Sequence, residues 1–90
     1  MDIFFKPSFV KDFKKLPENT KADVRKICAG DFLITQDLTE IKHLDINSIK
    51  GFKSYYRIRV GNYRIGFKKE GQSIIFMRII HRKDIYKVFP

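Results

Sequence analysis

Hydrophobic and polar positions along the chain keep two different periods, and the change falls near Ser54. Before it, apolar residues recur at helical spacing. Asp2–Lys6 predicts a short first strand that Pro7 stops. Ser8 is placed to cap a helix, after which Phe9, Phe13 and Leu16 share one face, with Val10 alongside, until Pro17. A second helix is expected from about Asn19, turning Val24, Ile27 and Cys28 inward until Gly30 ends it. Two short helices joined by a tight turn make a helical hairpin. Residues 31–49 are less regular, although Leu38, Ile41 and Leu44 are spaced for one more helical turn.

After Ser54 the period becomes two. The run YYRIRV, then Gly61-Asn62, then YRIGFK predicts a β-hairpin closed by a two-residue turn with glycine at positive φ. Past Gly71, Ser73–His81 is apolar at nearly every position, the pattern of a strand covered on both faces. The tail Arg82–Pro90 carries Ile85, Tyr86 and Phe89, and fits either a final helical turn or an extended segment. These elements predict an α+β fold. Its first strand and helical hairpin pack on a small, mostly antiparallel, twisted sheet, and residues 1–90 form one domain.

The two-residue turn fixes a register. Val60 faces Tyr63, Arg59 faces Arg64, Ile58 faces Ile65, Arg57 faces Gly66 and Tyr56 faces Phe67. One side of the hairpin then holds Tyr56, Ile58, Val60, Tyr63, Ile65 and Phe67, a core face. The other holds Tyr55, Arg57, Arg59, Arg64, Gly66 and Lys68, and it is cationic. Like charges directly opposite each other destabilise a sheet. No carboxylate in the hairpin relieves the Arg59/Arg64 pair, and local conflicts of this kind are expected at functional sites.

Charge distribution sharpens that picture. The net charge is +9, but residues 1–49 carry eight Lys/Arg against eight Asp/Glu and sum to zero. Residues 50–90 carry eleven Lys/Arg against Glu70 and Asp84, so the whole excess lies there. Such segregation points to a polyanionic partner. Arginine grips phosphate bidentately and stacks on bases, and Gly66 opposite Arg57 leaves room for a ligand to approach. An RNA-like backbone fits this face. Lys50, Lys53, Tyr55, Lys68 and Lys83 are expected to add RNA contacts around it.

A second cluster, His81-Arg82-Lys83-Asp84-Ile85-Tyr86, follows the last strand. His81 is suited either to proton transfer or to a structural part, and Tyr86 to stacking or proton sharing. Cys28, the one cysteine, excludes an internal disulfide and is expected in the core. His43 suggests no function. There is no P-loop, dinucleotide fingerprint, zinc-ligand spacing or Ser/His/Asp set. The opening residues do not read as a secretory signal, and no run reaches the roughly 20 apolar residues of a membrane span. A cytoplasmic protein without metal or other cofactor is expected.

At YYRIRVGNYRIGF and IIHRKDIY, with KKLP and the Lys50–Lys53 lead-in KGFK, nearly the whole chain resembles the RelE/ParE superfamily of bacterial toxins. The resemblance implies one of two activities. RelE-like members are ribosome-dependent, metal-independent endoribonucleases that cut mRNA in the ribosomal A site; ParE-like members inhibit DNA gyrase and lack the cleaving residues. Both are neutralised by a cognate antitoxin, expected to be acidic here. By motif position, Arg57 and Arg59 match the basic pair on the family's second strand, and Arg64 the arginine after the hairpin turn. Arg82 matches the arginine past the last strand, Tyr86 the C-terminal aromatic, and His81 a histidine of some nuclease members. The RelE type carries lysines where this chain has Arg57 and Arg59, which keeps phosphate binding but removes a base that deprotonates readily. The RelE-like activity is the favoured expectation. The alternatives are the gyrase inhibitor and a non-catalytic RNA-binding module.

Overall fold

Pro7 both ends the first strand and starts the first helix, because its fixed φ and missing N–H suit the first helical position. The computed structural model describes residues 1–90. Strand β1 is Asp2–Phe5 and helix α1 is Pro7–Lys14. Helix α2, Glu18–Lys26, follows after the Pro17 break and completes the helical hairpin. Lys6, not Ser8, is the cap residue of α1, and no side chain caps it. The Ser8 hydroxyl instead donates to the Met77 carbonyl at 2.7 Å. Gly30 does not end α2 either. A single π-type turn, Ile27–Asp31, carries the chain past the glycine into α3, Phe32–Ile34. The turn predicted around Leu38 is a 3₁₀ turn over Leu38–Glu40.

Five strands form one sheet in the order β1-β5-β4-β3-β2. Strands β2 (Asp45–Ser48), β3 (Tyr55–Val60), β4 (Tyr63–Glu70) and β5 (Ser73–His81) pair antiparallel in sequence order, and β1 lies parallel to β5. The β3/β4 register is the one counted from the turn, and Gly61 takes the positive φ of +58°. Strand β2 was not legible: DINS offers one apolar residue, Ile46, and edge strands need only one face. Helix α4, Ile85–Val88, closes the chain.

The helical hairpin covers one face of the sheet. Phe9, Leu16, Val24, Ile27, Cys28 and Phe32 are buried there against Ile58, Val60, Ile65, Phe67, Ile74, Phe76 and Ile79. Phe32 stands edge-on to Phe67 and Phe76, with ring centroids 5.3 and 5.2 Å away. Burial pushes the Cys28 thiol pKa far up, so this cysteine behaves as a small core hydrophobe.

Strand β5 has a partner on its outer side only as far as Phe76, where β1 ends. Helix α1 takes over beyond that point. The Asp12 carboxylate accepts from the Ile79 N–H at 3.2 Å, and from Arg78 Nε and Nη2 at 2.7 and 3.1 Å. Its side chain is only 10% exposed. Replacing Asp12 by Ala strands a guanidinium and a buried backbone donor together. We expect Asp12→Ala to cost about 2–4 kcal/mol, since unpaired partly buried groups lose their full solvation. Denaturant unfolding checks it, and a loss under 1 kcal/mol counts against the clasp.

Candidate RNA-binding and cleavage site

The face opposite the helical hairpin carries the arginines, because β3 and β4 alternate. Arg64 is the fixed point. Its Nη1 donates to the Gly61 and Tyr63 carbonyls, each at 2.9 Å, which ties the side chain to the hairpin turn that orders it. Its pKa is held below the ordinary arginine value, first by burial and then by the charges of Arg59, Arg57 and Arg82. Tyr86 acts on it in the opposite sense. Five residues singled out in the sequence, Arg57, Arg59, Arg64, Arg82 and Tyr86, therefore share one electrostatic neighbourhood.

Local structure places each. Arg57 and Arg59 are two residues apart on β3 and point the same way. The Arg82 N–H donates to the Asn62 carbonyl at 2.8 Å, fastening the β5–α4 turn to the hairpin turn. Tyr86, 60% exposed on α4, lies with its ring centroid 6.0 Å from the Arg57 guanidinium carbon. Strand β2 sets Asp45 directly across from Arg59.

His81 stands elsewhere. It pairs with Tyr63, whose side chain packs toward the core, and the two rings meet edge-on at 5.7 Å. Its Nδ1 accepts the Lys83 N–H at 3.2 Å, so the imidazole organises the turn leading to Arg82 and Tyr86 from the opposite side of the sheet.

Among the surrounding residues, Lys50 lines a pocket with Arg57 and Tyr86, and Lys53 is exposed on the β2–β3 loop. Lys83 is exposed on the β5–α4 turn. Lys68 is engaged by Glu70 at 2.8 Å and lies 5.3 Å from the Tyr55 ring centroid. Glu70's hydrogen bond and charge hold its pKa above the usual lysine value. Lys68 is thus the least available of the cations named above. Tyr55 packs on Phe89 at 5.8 Å.

The space beside Gly66 is not open to a ligand, contrary to the sequence reading. The Phe89 ring fills it: a Cβ at Gly66 meets Phe89 Cδ2 at 2.6 Å. Glycine is there so that the C-terminal segment can lie on the sheet. Phe89 was missed as a site residue, although a glycine inside a strand followed by an apolar C-terminus was the available signal.

A family model described as the ParE toxin of type II toxin–antitoxin systems, parDE, matches residues 3–86. The chain belongs to this family, within the RelE/ParE superfamily of type II toxin–antitoxin toxins. It is 46% identical to Toxin RelE3 of Methanocaldococcus jannaschii over 90 residues, all of both chains. The RelB–RelE antitoxin–toxin complex from Methanococcus jannaschii contains a similar chain. Its TM-score is 0.82 at 45% identity, over 97% of this chain and 99% of that one. The isolated E. coli RelE toxin shares the fold at 14% identity, with a TM-score of 0.68 over 96% and 90%.

Gly66→Ala probes the seat of the C-terminal segment. Since a buried aromatic ring must move, a stability loss of about 1–3 kcal/mol is expected, with Phe89 displaced. Limited proteolysis should release the residues after α4 faster than in the parent, and unchanged cleavage kinetics together with unchanged stability would refute the placement.

Proposed function

We propose that this toxin is a ribosome-dependent, metal-independent endoribonuclease that cleaves mRNA in the A site and thereby inhibits translation. The observation that carries the reading is the convergence of Arg57, Arg59 and Arg82 on the half-buried Arg64, with Tyr86 alongside. Like charges gathered on one sheet face are costly unless a polyanion neutralises them. The scissile step is in-line attack of a ribose 2′-oxygen on the adjacent phosphorus. The 2′-O–P bond forms, the P–O5′ bond breaks, the 2′-proton leaves, and the departing 5′-oxygen takes one up. Products are a 2′,3′-cyclic phosphate and a 5′-hydroxyl.

Arg64 and Arg82 stabilise the extra negative charge on the phosphorane-like transition state, while Arg57 and Arg59 hold the flanking backbone. Tyr86 stacks on a base or shares a proton. His81, engaged on the other side of the sheet, serves the site by holding the turn. Arginines are poor general bases, so the chemistry depends on accurate alignment of the 2′-oxygen. A ribosome that presents mRNA in a fixed conformation supplies that alignment. An acidic antitoxin neutralises the toxin by covering the cationic face. The RelB–RelE complex of the similar archaeal chain supports an antitoxin partner. No helix is long and apolar enough to cross a membrane; action on translating ribosomes makes the cytoplasm the proposed site of action.

The match to a family described by ParE keeps gyrase inhibition as a second reading. Mapping mRNA ends on translating ribosomes beside a gyrase supercoiling assay decides between them. Arg64→Ala and Arg82→Ala should lower single-turnover cleavage by about 10²–10³-fold each. Arg57→Ala should mainly weaken binding and flatten its salt dependence. A large loss in Tyr86→Phe assigns proton transfer to the hydroxyl, and a small one assigns stacking. EDTA should leave cleavage intact once ribosome integrity is controlled. If every variant cleaves like the parent, the arginine face is not the active site.

Antitoxin capture is a separate test. Because the excess charge lies in residues 50–90, the association rate should fall steeply as salt rises. A rate insensitive to salt would rule out electrostatic steering.

A further inference from the structure

An exposed phenylalanine stands in the most cationic loop of the chain. Phe52 is 52% exposed between β2 and β3, flanked by Lys50 and Lys53. The loop is closed tightly. The Ile49 N–H donates to the Tyr55 carbonyl at 2.9 Å, and the Phe52 N–H to the Ile49 carbonyl at 3.1 Å. Gly51 at φ +85° and Ser54 at φ +70° make the two sharp turns, and the Ser54 carbonyl accepts from the Lys69 N–H at 2.9 Å. A non-glycine residue at positive φ is uncommon. Here it sits where the loop is tied down at both ends, so Phe52 is presented on a fixed platform.

Phe52 also forms one wall of a pocket of about 500 Å³ whose other walls include Lys50, Arg57, Tyr86 and Phe89. No Asp or Glu side chain lines it, and Pro90 completes the wall at the C-terminal end. The exposed rings of Phe52 and Tyr86 beside cations around an open pocket match the way single strands are held, with bases on rings and phosphates on the charges. An unpaired base fits such a space, since small-molecule pockets begin at roughly 300 Å³.

Resting on the RNA-cleavage reading of the same face, we propose that this pocket takes one unpaired nucleobase of the RNA. Phe52 is the ring on which that base stacks, and Lys50 and Arg57 hold the phosphates beside it. Stacking tolerates every base, so Phe52 contributes affinity and alignment more than codon preference. The ring's exposure is then the cost of an open binding surface.

The chain has no tryptophan, so Phe52→Trp introduces a single fluorescent reporter that keeps the stacking surface. The probe is a short single-stranded RNA with 2′-O-methyl sugars, which cannot undergo the 2′-oxygen attack, beside an abasic oligomer of equal length and charge. The base-bearing probe should quench the indole and the abasic one should not. In the parent chain, Phe52→Ala should weaken the base-bearing probe by about tenfold or more while leaving the abasic affinity and melting temperature unchanged. Equal quenching by both probes, or none by either, overturns the proposal. So does a Phe52→Ala variant that binds both probes normally but has lost affinity for the antitoxin, which would make the surface a protein-docking site. Ribosomal cleavage by the parent chain is scored in parallel. Base-dependent quenching without any cleavage retains the pocket and removes only the nuclease reading.

Discussion

The cross-strand register of β3 and β4 is the constraint on which the rest of the structure depends. It buries Ile58, Val60, Ile65 and Phe67 on one face, and by the same alternation sets Arg57, Arg59 and Arg64 on the other. A slip of one residue would exchange the faces and drive guanidinium groups into the helices. The magnitudes decide the outcome. Each buried aliphatic or aromatic side chain contributes about 1.5–3 kcal/mol, whereas a like-charged cross-strand pair costs only about 0.2–1 kcal/mol. The core therefore imposes a concentration of charge that the arginines would not choose for themselves. Asp45 on the edge strand stands across from Arg59, but its carboxylate accepts from Asn47 and forms no ion pair with the arginine.

Two further elements make that face rigid enough to act. Helix α1 replaces the missing partner of β5, with Asp12 taking the place of a neighbouring strand's carbonyl and pairing Arg78 as well. On the other side, Phe89 lies on Gly66, and the helical turn before it carries Tyr86 to Arg57. The Arg82–Asn62 hydrogen bond joins the turn that bears Arg82 to the hairpin turn that anchors Arg64. The site is thus assembled from chain segments far apart in sequence but fixed by backbone bonds at its corners. Preorganisation of this kind matters most where no strong acid or base is present.

The hairpin, its turn and the sorting of its side chains were legible because a two-residue loop leaves no freedom in the register. The helical hairpin was legible from its periodicity, although the chain passes Gly30 by a π-type turn that no periodic pattern announces. His81 lies beyond what the counted register fixes. Phe67 pairs with Phe76 and Gly66 with Arg78, so Met77 is an extra residue in β5. That bulge reverses the alternation beyond it. Ile79 is buried, and His81 meets Tyr63 on the helix side instead of joining the arginines. Strand β2 and the seat of Phe89 stayed hidden for a related reason, since both are defined by tertiary partners and not by their own composition.

A site made mainly of arginines constrains how the proposed reaction can be driven. With no group among them that readily accepts a proton, rate must come from geometry and from stabilising charge, and both are lost if the RNA is free to move. Every anchoring point that fixes the substrate then acts on the chemical step as well as on binding. On this view, a base held on Phe52, a stacked or proton-sharing Tyr86 and backbone phosphates on Arg57 and Arg59 align the strand, while Arg64 and Arg82 meet the developing charge. On the proposed reading, the translating ribosome supplies whatever alignment these contacts leave open. Under the proposed mechanism attraction to RNA is general, but attack requires a strand already held in line.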